Sequence, residues 1–288
     1  MRVHSSHNSL RDTLLGQYWE LKLNSQIYAD FFSELNEFQI KTISSEIACM
    51  INEISHQVIV DESSLCFPEI GLNINFDEMG SCILKMKSTD TSRLHLVFTS
   101  KKRDEQMQIE FAFNEETSLE TLSKHLLKTQ DYIPTAAQLR TKRRAICPKC
   151  KERRDKTRAN ISSNHFYHII SFACFLDQEI WITYDKEMIS FTKSFPPNKE
   201  SYTDGVISLA NPDCVIALDI AEVFNTIAHE SCFEGEASTV VNCYNSHGER
   251  LFNLIQQNTE LYDMCSIVEK NEDCHYCLLY TSPSPRDS

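Results

Sequence analysis

The sequence predicts an α+β fold made by tandem duplication, two antiparallel-sheet lobes with flanking helices. Three observations lead there. The stretches "IGLNINF", "RLHLVF" and "MQIEFAF" alternate apolar and polar residues, as half-buried antiparallel strands do. Segments with apolar residues at helical spacing flank them. Finally, "SLCFPEIGLNINFDEMGSCILKM" from Ser64 aligns without gaps on "SLANPDCVIALDIAEVFNTIAHE" from Ser208, sharing Ser-Leu, a proline five positions in, and the same apolar rhythm.

Taken in order, Leu10, Leu14, Tyr18 and Leu21, then Ile27, Phe31 and Leu35, then Ile40, Ile43, Ile47, Ile51 and Ile54 recur every three or four residues, which predicts two or three helices in the first fifty residues. From Gln57 the period changes to two and strands follow. "TSLETLSKHLL" carries a Thr117/Glu120 capping box, with Leu119, Leu122 and Leu126 on one helical face. The second copy repeats the order: "STVVNCY" and "RLFNLI" alternate as strands, joined by a hairpin turn at "NSHG", Asn245 to Gly248, before a closing helix. The expected organisation is an N-terminal lobe over 1–130, a basic inter-lobe segment over 131–162 and a C-terminal lobe over 163–276.

Composition bounds the function. At 288 residues, 41% hydrophobic and 24% charged, the chain can fold as one large domain or two lobes. No apolar run approaches the roughly 20 residues that span a bilayer, and the start has no apolar leader, so a soluble cytoplasmic protein without stable membrane insertion is expected. Twelve cysteines are scattered, several in apolar runs such as "FACFL" and "CVIAL", and read as reduced, buried thiols. The net charge of −13 argues against nucleic acid as a partner. One stretch departs from it: "RTKRRAICPKCKERRDKTR", Arg140 to Arg158, holds ten basic and two acidic residues, a local +8. It reads as a solvated linker helix or as a site for anionic groups.

Two Cys-x-x-Cys pairs, Cys147/Cys150 and Cys274/Cys277, would together suit a tetrahedral zinc ion. However, "CLLYTSPSPRDS" resembles one translated frame of a sequencing adaptor. Residues 277–288 are therefore excluded from fold reasoning, and the natural chain is expected to continue past Tyr276. The remaining lone Cys-x-x-Cys makes zinc an unlikely cofactor. No Ser-His-Asp set, phosphate loop or metalloprotease motif is present in the sequence, so hydrolase and nucleotide-binding readings have little support.

"NPDCVIALDIAEVFNTIAHESCFEGEASTVVNCYNSHGERLFNLI", Asn211 to Ile255, resembles the second repeat of the hemin-degrading, heme-utilisation family of the HemS/ChuS type. It has the family's Asn-Pro before a strand, short helix, Thr-containing strand, His-Gly turn and closing strand. "WELKLNSQIYADFF", Trp19 to Phe32, is similar to the family's opening helix, without its arginine. The resemblance implies a two-lobed cytoplasmic bacterial protein of heme and iron acquisition that carries heme, with heme degradation to release iron as the family's further activity. Its partners would be heme, with a heme importer or a reductase.

The family holds heme by an axial histidine near the start of the second lobe, an opposing arginine from a first-lobe strand, and basic and aromatic residues around the propionates. Ser163-Asn164-His165-Phe166-Tyr167 best matches the axial pattern, where the histidine is closely followed by two phenylalanines, and His168 stands one helical turn on. A second placement, through "RRAICPKC", puts Cys150 where the histidine belongs. "TKSFPPNKES" resembles the family's propionate segment and makes Lys193 and Lys199 the matching lysines, with one residue inserted between them. Between Ile54 and Ser64 the first lobe is short, and no arginine matches the opposing one; catalytic residues stay unknown. The rival readings are a zinc or nucleic-acid adaptor using the basic Cys-Pro-Lys-Cys segment, and a degenerate scaffold without a ligand.

Overall fold

The computed structural model describes residues 18–21, 25–34, 38–43, 47–51, 58–87, 90–101, 105–112, 126–128, 146–186, 188–197, 200–212 and 214–269. The described elements are antiparallel strands with a few short helices, and they fall in two compact units. One comprises Met1–Arg143, Lys186–Ser190 and Pro212–Cys214; the other comprises Arg144–Asp185, Phe191–Asn211 and Val215–Ser288.

In the first unit, strand β1 (Tyr18–Leu21) precedes helix α1 (Ser25–Glu34), β2 (Phe38–Thr42), β3 (Ile47–Ile51), β4 (Ile59–Val60), β5 (Ser64–Phe67) and β6 (Leu72–Asn75). A 3-10 turn at Phe76–Glu78 leads into the long strands β7 (Met79–Lys87), β8 (Asp90–Ser100) and β9 (Glu105–Ala112), followed by β10 (Leu126–Lys128). Its main sheet runs β10-β1-β7-β8-β9-β2, and β4, β5 and β6 form a separate antiparallel meander. The alternation in β8 and β9 puts Leu94, Leu96, Phe98, Met107, Ile109 and Phe111 on one face, all buried. Helix α1 covers that face with aromatic rings: Phe31 meets Phe111 edge-on at 5.2 Å, Phe32 meets Phe38 at 5.5 Å, and Tyr28 stacks on Phe76 at 5.3 Å.

Three helical expectations change. Residues 38–42 and 47–51 are strands, because short strands in which isoleucines recur can imitate helical spacing: Phe38 and Ile40 alternate with Gln39 and Lys41, and only the former pair is buried. The similarity to an opening helix over Trp19–Phe32 likewise divides into a strand through Leu21 and a helix from Ser25. The Thr117/Glu120 box lies outside the described residues. Leu126 and Leu127 are strand, since β10 pairs along β1, Leu21 opposite Leu126.

The second unit opens with α2 (Pro148–Ala159) and α3 (His165–Phe175), then β11 (Ile180–Lys186), β12 (Ile189–Phe195), β13 (Glu200–Thr203), β14 (Val206–Ala210) and β15 (Cys214–Asp219). A 3-10 turn at Ile220–Glu222 precedes β16 (Asn225–Phe233), β17 (Glu236–Tyr244), β18 (Arg250–Gln256) and α4 (Glu260–Glu269). Its strands run β16-β17-β18-β11-β12 in one sheet and β13-β14-β15 in another. Asn245–Gly248 is the hairpin turn between β17 and β18, with the Gly248 amide on the Asn245 carbonyl at 3.0 Å and φ +76° at the glycine. Helices α3 and α4 pack on each other, and Phe166 meets Phe252 of the sheet at 5.6 Å.

The duplication is visible in local detail. The alignment of Ser64 on Ser208 is an offset of 144, and two of the 3-10 turns among the described residues, 76–78 and 220–222, obey it. So do their caps: the Asn75 side chain accepts from the Asp77 amide at 2.9 Å, and that of Asp219 from the Ala221 amide at 3.2 Å. In both copies three long antiparallel strands follow.

Candidate functional site: a buried imidazole in the second unit

From Pro148 on, the basic stretch folds as α2, and Arg154 and Arg158 are engaged within the unit; residues 140–145 lie outside the described residues. Pro148 occupies the first turn, where no amide partner is needed. The Cys147 thiol caps it, accepting from the Cys150 amide at 3.4 Å. Further along, Arg158 reaches Asp219 at 2.7 Å and Glu222 at 3.7 Å, and Arg154 reaches Glu222 at 3.6 Å. Asp219 therefore caps its turn with one oxygen and holds α2 with the other. The close approach needs a glycine: at Gly205, φ +77°, a Cβ would lie 3.3 Å from the Arg158 Cγ and 3.2 Å from the Ala221 Cβ.

Asn164 starts α3. Wholly buried, its side-chain oxygen accepts from the Phe166 amide at 2.9 Å, and its amide group donates to the carbonyls of Ile220 and Val223 at 2.9 and 3.1 Å. It thus ties the helix to the second 3-10 turn and sets the direction of the next residue. That residue, His165, is 7% exposed. Its Nδ1 lies 2.8 Å from an Arg153 guanidinium nitrogen, and the same guanidinium stands 5.7 Å from the centroid of the Phe224 ring. Burial pushes the imidazole down to about 3, and the charges of Arg153 and His168 push the same way, so the ring is neutral at physiological pH.

The other expected positions fall on separate elements. His168 is exposed on α3, with Nε2 donating to the Ser162 carbonyl at 2.9 Å. Cys150 is buried in the first turn of α2, at 3% exposure. Lys193 is half-buried on β12, and Lys199 lies outside the described residues. Among the described residues no group of three or more His, Cys, Asp or Glu side chains could hold a metal ion. Cys274, His275 and Cys277 are outside them.

A second polar cluster was not anticipated. On the face of the first unit's sheet opposite α1, Glu110 is 7% exposed, with Arg93 at 2.5 Å, His95 at 3.6 Å and Lys41 at 3.7 Å, and Gln108 meets the other side of the His95 ring. Burial pushes the Glu110 carboxyl up, but Arg93, Lys41 and His95 outweigh it and hold it below its ordinary value. The signal was in the alternation: "RLHLVF" beside "MQIEFAF" puts Arg93, His95, Gln108 and Glu110 on one face once β8 and β9 pair.

No family model matches the chain, and no curated protein matches it. Solved structures share its fold. The heme degrading enzyme ChuS of Escherichia coli O157:H7 superposes with a TM-score of 0.60 and 11% identity, covering 85% of this chain and 83% of its own. Apo-PhuS, a heme-binding protein from Pseudomonas aeruginosa, gives 0.60 at 9% identity over 92% and 90%. Holo-PhuS gives 0.59 at 10% over 88% and 85%. The likeness at these identities is one of fold, the α+β architecture of antiparallel sheets and few helices.

Heme asks for a neutral imidazole, apolar walls and cations for its carboxylates. Of these, the structure shows the neutral imidazole of His165, the Arg153 cation on its Nδ1 and the Phe224 ring under that cation. One condition attaches: Arg153 now holds the ring nitrogen.

Proposed function

We propose that the protein binds heme through His165 and carries it within the cytoplasm as part of heme and iron acquisition. The observation that carries this reading is His165, a buried imidazole kept neutral at the first turn of α3, in a fold shared with ChuS and PhuS. Buried free thiols such as Cys82 and Cys243 suit a reducing compartment. Heme, when bound, supplies the iron and its redox chemistry.

This chain's residues supply placement. Asn164 fixes where α3 begins and thus where the ring sits. Lys193 and Lys199 are the lysines we assign to the propionates, with His168 and Cys150 as alternative axial ligands. The adaptor reading loses ground because Arg154 and Arg158 are engaged inside the unit.

The test is a hemin titration of the purified chain followed by absorbance. The expected result is a saturable Soret shift with one hemin per chain. A spectrum identical to that of free hemin would end the reading. Loss of the bound spectrum under a reductant and oxygen, with catalase present to remove stray peroxide, would add degradation to carriage.

A further inference from the structure

The hydrogen bond between Arg153 and His165 constrains any metal that uses this ring. A guanidinium only donates, so Nδ1 accepts, and the neutral ring carries its proton on Nε2. Iron needs a nitrogen lone pair. At Nε2 it would require the proton to leave that nitrogen and Nδ1 to take one up from water, leaving two N–H groups facing each other across 2.8 Å. At Nδ1 it would require the site that Arg153 occupies. By either route, Arg153 and iron are alternatives.

We propose that Arg153 is a latch on His165, a positioning residue whose withdrawal makes the ring competent to ligate heme iron and which thereby sets affinity by competition. The proposal rests on the heme reading above. The arrangement offers the guanidinium a second place to rest. It already lies over the Phe224 ring at 5.7 Å, a face that can keep a cation after the nitrogen contact is broken. Its neighbours Arg154 and Arg158 reach the carboxylates Glu222 and Asp219, so α2 itself stays fixed while Arg153 moves.

The experiment compares hemin affinity of the full chain with Arg153→Met, which keeps the apolar stem, and Arg153→Lys, which keeps a donor, each also in a His165→Ala background. Nitrogen-15 shifts of the His165 ring in the heme-free proteins at fixed neutral pH provide a second readout. Arg153→Met is expected to tighten hemin binding about tenfold, the loss of one charge-assisted hydrogen bond that binding must otherwise break. Arg153→Lys should stay near wild type. The gain should vanish without His165, and the ring shifts should report an accepting Nδ1 in wild type that is lost in Arg153→Met. Equal or weaker binding by Arg153→Met, a gain that survives His165→Ala, or ring shifts identical in both proteins would overturn the latch while leaving heme binding in place. Hemin binding by none of the proteins would overturn the heme reading and the latch with it.

Discussion

His165 and Asn164 show how much one residue's neighbours decide. Replacing Asn164 by Ala removes the cap of α3 and its donor to the buried Val223 carbonyl, while the Ile220 carbonyl keeps the Val223 amide at 3.0 Å, and should cost about 1–3 kcal/mol in a urea melt. Glu110 makes a pH prediction. Its carboxyl is held below the ordinary value of 4.5, so the stability it contributes is complete above that pH and is lost as pH falls through the lower folded value. Glu110→Gln should therefore be less stable than wild type at pH 7, by about 1–3 kcal/mol, with the gap closing in melts repeated below pH 4.5. A gap that stays constant across that range would contradict the account of the cluster. The site was only partly legible at this scale. His165 stood out by its aromatic neighbours, but its partner Arg153 precedes it by twelve residues and lies on another helix, a contact that no local pattern announces.

Among the elements, strands were legible where alternation was clean and helices were not where isoleucines recurred. Ile40, Ile43, Ile47 and Ile51 fit a helical stripe in sequence, yet pairing of Phe38 with Phe111 and Ile40 with Ile109 makes β2 a strand, because tertiary pairing overrides a short local period. The second 3-10 turn gives a capping test. Asp219→Asn should keep its cap while losing the Arg158 ion pair, and Asp219→Ala should lose both, so the asparagine variant is expected to be the more stable by about 1 kcal/mol in thermal melts. Equal stability would mean that the cap contributes nothing. Gly80 gives a steric test. It sits at the register shift where β7 meets β8, and a Cβ there would run into the Ser100 carbonyl, so Gly80→Ala should destabilise by roughly 1–3 kcal/mol.

For the whole molecule, the likeness to ChuS and PhuS is one of fold: they share only 9–11% of residues with this chain. The duplication was visible because an ungapped offset keeps apolar positions in step, and the same offset of 144 relates the 3-10 turns at 76–78 and 220–222. Ligand chemistry was less visible, since it depends on side chains brought from several elements. The central claim is that a neutral His165 ligates heme iron. Electron paramagnetic resonance of the ferric hemin complex, wild type beside His165→Ala, tests it most directly. The account predicts a nitrogen-ligated iron signal in wild type that is lost in the variant. A signal that persists unchanged in His165→Ala would contradict it and move the ligand to His168 or Cys150.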